Sequence, residues 1–174
     1  MNNIMKRLLI ICTIMLGAIG TMSAQKIGYV NTETILNKIP AYKTAQTQLE
    51  NLNRQYQKEV EAGYQKVEEL YKAYQADKVL LTDDMKKRRE DEIINKEKEV
   101  KELQRKYFGQ DGTLSKKSEE LLKPIQDKVM NAIKDIANDD GYAMIIDVAN
   151  NASIIFTAPR YDISDKVIGK LGYK

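Results

Sequence analysis

The chain has 174 residues, 43% hydrophobic and 30% charged, with 28 Lys and Arg against 25 Asp and Glu. That balance excludes a disordered chain and a membrane-embedded bundle, and allows one domain with a modest core. There is no His and a single Cys, Cys12, so the commonest general base, the commonest transition-metal ligand and most thiol chemistry are missing from the outset.

The chain opens MNNIMKRLLIICTIMLGAIGTMSAQ. Lys6 and Arg7 precede an apolar run from Leu8 to about Ile19, and small residues follow to Ala24. This pattern predicts a cleaved secretory signal over residues 1–24, with cleavage after Ser23 or Ala24. The run is shorter than the ~20 residues a spanning helix needs. Cys12 lies inside it and follows Ile10-Ile11, where a lipidation site would want small residues, so it reads as signal filler. Removing the segment leaves no cysteine and 26 basic against 25 acidic residues. A net charge this small gives no global field to attract nucleic acid.

Lys26 to Val30 (KIGYV) reads as a short strand closed by Asn31, a helix-capping residue. Thr32 to Lys38 suits a short helical piece, and Pro40 fits the first turn of a new helix, where its missing N–H costs nothing. From Ala41 to about Gln75, apolar residues recur at steps of three and four, which predicts one long helix. A reversal over 77–82 precedes Thr82, a plausible N-cap, and Asp83-Asp84, which suit the positive end of a returning helix. The expected form is an antiparallel helical hairpin. Gly109 and Gly112 loosen the return arm, and Pro124 should kink it or start it afresh. Asp140-Gly141 ends it.

Tyr142–Val148 and Ala152–Phe156 read as two further strands joined by a short turn at Ala149-Asn150-Asn151. Asp162 and Asp165 suit the start of a last short helix, and Gly172 its end. The fold class is thus α+β: a small strand body, residues 25–40 and 139–174, carrying a helical hairpin over 41–138 with its tip near 77–84. Three short strands and a two-helix rod build little core alone, so the chain is expected to complete itself with further copies. Ile27, Tyr29, Ile145, Ile146, Ile154 and Ile155 are the candidate body residues for that contact.

Nothing in the residues predicts catalysis, a cofactor or a metal. Glu68-Glu69 and Asp83-Asp84 sit in charged helical or capping contexts. Lys86-Lys87-Arg88-Arg89 suggests a weak anionic-lipid contact, but Glu90, Asp91 and Glu92 follow at once, and a solvated polar face is the simpler reading.

The tyrosines of the outgoing helix ask for more. On a wheel turning about 100° per residue, Leu49, Val60 and Val67 hold the middle of an apolar stripe about 120° wide. Tyr56 and Tyr74 lie near the middle and are expected in the hairpin seam. Tyr64 and Tyr71 form one margin, where a ring offers an apolar face without making the surface insoluble. Tyr64 and Tyr71, with Val79, Leu80 and Leu81 at the tip, are the candidate residues for a weak, adaptable grip on apolar segments of a binding partner.

KIGYVNTETIL, PAYKTAQTQLE and LLKPIQDKVMNAIKDIANDDGYAMIIDV, taken with the order of elements, resemble the OmpH/Skp family of periplasmic chaperones from Lys26 to the C-terminus. The resemblance implies a periplasmic homotrimer whose three helical tentacles hold unfolded outer-membrane proteins without ATP. The best-known members are strongly basic, whereas this mature chain is near neutral. An envelope coiled-coil adaptor gripping one folded partner is the alternative, and it would ignore unfolded chains. A nucleic-acid binder is suggested only by Lys86 to Arg89 and is disfavoured by secretion.

Overall fold

A computed structural model describes residues 25–149 and 153–174. The expected signal, residues 1–24, lies outside the described residues, as do Asn150, Asn151 and Ala152 of the expected turn and strand. The elements run β1 (Lys26–Val30), α1 (Thr32–Asn37), α2 (Pro40–Asp77), α3 (Asp83–Phe108), α4 (Thr113–Asp140), β2 (Tyr142–Asp147), a 3-10 turn (Pro159–Tyr161) and α5 (Ser164–Lys170).

Local chemistry sets most of these ends. The Asn31 side chain accepts from the Thr34 amide at 2.9 Å and starts α1. Pro40 opens α2. Thr82 Oγ1 accepts from the Met85 amide at 3.4 Å and starts α3, with Asp83 and Asp84 in its first turn. Helix α4 ends on Gly141, whose φ of 71° a side chain would strain. The Asp162 carboxylate accepts from the Ser164 amide at 2.8 Å just ahead of α5.

Helix α2 has 38 residues, a rod of about 57 Å at ~1.5 Å per residue. It packs antiparallel against α3 along its outer part and against α4 nearer its root. Helix α4 runs unbroken from Thr113 to Asp140 with Pro124 inside it, so the return arm restarts at Gly109–Gly112 and not at the proline. Pro124 sits at an exposed position, where water can take the carbonyl that loses its amide partner.

The root of the hairpin lies in the main core. Val30, Ile35, Ile39, Val129, Ala132, Ile133 and Ile136 pack with Ile163, Val167 and Ile168, and Tyr42, Tyr142 and Ile145 lean on the cluster. Strand β1 pairs with β2 in parallel, Gly28 opposite Ile145 and Tyr29 opposite Ile146. On its other side the Tyr29 carbonyl accepts from the Ile163 amide at 2.9 Å.

The second expected C-terminal strand does not form. Residues 153–156 carry no strand, and the described sheet has two strands. Ile155 is 98% and Phe156 82% exposed. An apolar strand gains stability by packing its faces, and among the described residues nothing covers these side chains. Nor is β2 buried on both faces, since Met144 is 55% exposed.

Candidate functional site

The hairpin seam is built from Val60 and Tyr74 of α2 and Ile93 and Val100 of α3, all buried. Val67 and Leu49 are half-buried beside them. The helices come closest at Gly63: a Cβ there would stand 2.7 Å from Val100 Cγ2 and 3.2 Å from Cγ1.

The tyrosines tie the two arms together through their phenols. Tyr74 Oη donates to Glu90 of α3, Tyr107 Oη donates to Glu59 of α2, and Tyr64 Oη donates to Gln104 Oε1 at 3.0 Å. Tyr56 stacks on Tyr107 with ring centroids 4.0 Å apart and planes 9° apart, and Phe108 meets both rings edge-on at 6.4 Å. The two bonds to carboxylates are charge-assisted and have electrostatic consequences. The Tyr107 hydroxyl, then the Gln55 amide, holds the Glu59 carboxyl below its usual range. The Glu90 carboxylate, then partial desolvation, pushes the Tyr74 phenol up, and Glu59 does the same to Tyr107. Seam tyrosines therefore point across the hairpin and not outward to water.

The candidate client residues fall into two places. Tyr64 is 40% and Tyr71 52% exposed along the flank of α2. Val79 and Leu80 are almost wholly exposed at the tip, and Leu81 is half-buried there. Tyr64 serves the seam as well, through Gln104. Sequence reasoning passed over Ile94, 61% exposed on α3. The signal was the Ile93-Ile94 doublet: successive helical residues point about 100° apart, so one isoleucine in the seam puts the other outside it.

The candidate body residues divide too. Ile145 packs on the chain's own core. Ile27, Tyr29, Ile146 and Ile154 line an open apolar groove of about 510 Å³ that Phe156 and Tyr161 also border. Ile27 is half-exposed, and Ile155 stands clear of its own chain. Among the described residues no cluster of acidic or thiol ligands could hold a metal, and no helix is long and apolar enough to cross a membrane.

A comparison with functionally curated proteins finds no match. Among solved structures, an OmpH-like protein of Caulobacter crescentus, assigned as a candidate outer membrane chaperone, superposes with a TM-score of 0.65 at 13% identity, over 86% of this chain and 85% of that one. At that identity the likeness speaks to the fold. The family model for outer membrane proteins of the OmpH-like type matches residues 26–171, from the first residue of β1 to just past α5, and the chain therefore belongs to the OmpH-like family.

Proposed function

We propose that this protein is an ATP-independent holdase of the periplasm, which binds unfolded outer-membrane proteins along its helical arm and keeps them from aggregating. The observation that carries the reading is the placement of apolar surface. Tyr64, Tyr71, Val79 and Leu80 stand exposed on a long, densely charged hairpin, so apolar faces are presented in small, separate places among solvated groups. Such a surface grips extended apolar segments weakly and at many points, without associating with itself. Membership of the OmpH-like family and the fold shared with the Caulobacter protein support the same reading.

The protein works as a homotrimer in this account. Ile27, Met144, Ile155, Phe156 and Tyr161 leave a broad apolar surface uncovered beside the sheet, more than scattered exposure explains. Neighbouring copies would bury it and give residues 153–156 a strand partner. The arms then converge on one client, and modest affinity per arm is multiplied by effective concentration.

The test is suppression of aggregation of an unfolded outer-membrane β-barrel, without nucleotide, by the wild type and by a Tyr64→Ser/Tyr71→Ser variant. The variant is expected to keep its fold, with a slightly lower Tm from losing the Tyr64–Gln104 bond, and to hold clients clearly less well. Val67→Ser should do the reverse, because it puts a hydroxyl beside the seam at a cost on the order of 1–3 kcal/mol. A wild type that leaves aggregation unchanged while binding one folded envelope protein stoichiometrically would refute the holdase.

A further inference from the structure

Charge on the arm is abundant and finely interleaved. Helix α2 carries five basic and six acidic residues, α3 nine and eight, and α4 five and six. Each helix is therefore within one charge of neutral. The opposite charges are also neighbours: Lys66 lies 2.9 Å from Glu69, Lys96 2.8 Å from Glu99, and Lys117 2.7 Å from Glu120. The basic run at the tip follows the rule. Lys86 pairs with Asp83 at 3.2 Å and Arg89 with Glu92 at 3.5 Å, and residues 83–92 hold four basic against five acidic groups.

Exposed pairs of this kind add little to stability. Their effect is on the field. Opposite charges on adjacent turns form a dipole, whose potential falls faster with distance than that of a single charge, and salt screens what is left within about 8–10 Å at physiological strength. An arriving chain meets no long-range attraction or repulsion from the arm, whatever its own sign. What remains to grip it is apolar contact at residues such as Tyr64, Tyr71, Val79, Leu80 and Ile94, which is blind to charge.

We propose that the arm selects unfolded chains by apolar content and is indifferent to their net charge. The inference rests on the holdase reading and adds the class of client: acidic and basic unfolded polypeptides alike, held as well at high salt as at low. A holder with a net basic arm would instead favour acidic chains and release them as salt rises.

The test uses the mature protein and two unfolded polypeptides of matched length and apolar content, one with net positive and one with net negative charge. Binding is followed by fluorescence anisotropy at about 50 mM and about 500 mM NaCl, between which the Debye length falls roughly threefold. All four Kd values are expected to agree within about threefold. A preference for one sign, or a loss of affinity with salt, of about tenfold or more overturns the inference and leaves the holdase standing. Failure to bind either polypeptide at either salt overturns the holdase reading and this inference with it.

Discussion

Gly63→Ala tests the close approach of the two arms. In an isolated helix the change stabilises by about 1 kcal/mol, because glycine loses more backbone freedom on folding. Here the new methyl would stand 2.7 Å and 3.2 Å from the two methyls of Val100 and 3.5 Å from its Cβ. Val100 is only 2% exposed, and a β-branched side chain in a helix has one strongly favoured rotamer, so it cannot swing clear. The helices must part by several tenths of an ångström along a packed seam, at about 1–3 kcal/mol. The overpacking outweighs the propensity gain. A net loss of about 1 kcal/mol is expected, a fall in Tm of about 2–4 °C for a chain of this size. Val100→Ala removes the obstruction. In that background the same Gly63→Ala change should stabilise, by about 1 kcal/mol, because propensity then acts alone and the methyl fills part of the void. A thermal-melt double-mutant cycle reads the change of sign directly. If Gly63→Ala raises Tm in both backgrounds, the arms do not meet at Gly63.

If the proposed trimer forms, Ile155→Asp should leave the chain folded and reduce it to a monomer by light scattering, because Ile155 is exposed on its own chain. Ile145→Asp should lower Tm as well, because Ile145 packs on the core and an unpaired charge would be brought there. Thr82→Ala should cost about 1 kcal/mol and speed hydrogen exchange at the start of α3 more than in the body. The carboxyl of Glu59 lies below its ordinary value of 4.5 in the folded state, so its contribution is present above that value and is lost as pH falls through the depressed one. Glu59→Gln should therefore flatten the acid limb of the melting curve, and an unchanged limb would place the Tyr107–Glu59 bond outside the stability balance.

How much of this was legible in sequence depends on whether a feature is local. Asn31, Pro40, Thr82 and Gly141 end helices through chemistry within one turn, and each lies at the end it was expected to mark. The seam followed from helical period: Val60 and Tyr74 are buried, and Tyr64 and Tyr71 remain exposed. Pairing between distant segments was not legible. Period and propensity cannot say that β1 lies parallel to β2, more than a hundred residues on. Nor can they say that the apolar stretch 153–156 stays out of the sheet. The run looked like a strand because its residue types fit a covered pleat, and coverage depends on what packs against it, which residue type does not state. The cross-hairpin phenol bonds were missed for a related reason. Glu59 and Glu90 look like solvated charges until the hairpin register sets a tyrosine opposite each.

The parallel pairing of β1 with β2 also orders events during synthesis. Lys26 pairs with Tyr142, so β1 is made before the arm and has no partner until the whole arm has followed it. Contacts so distant in sequence are slow to find by diffusion of a coil. The arm shortens the search. With α2 packed against α3 and α4, the two strands lie at the same end of the arm, and a seam closed by contacts nearer in sequence would bring them there together. The hairpin is then a folding jig for the body as well as the part that protrudes from it. A defect in its seam would appear first as a delay in forming the sheet, in a stopped-flow trace, before any loss at equilibrium.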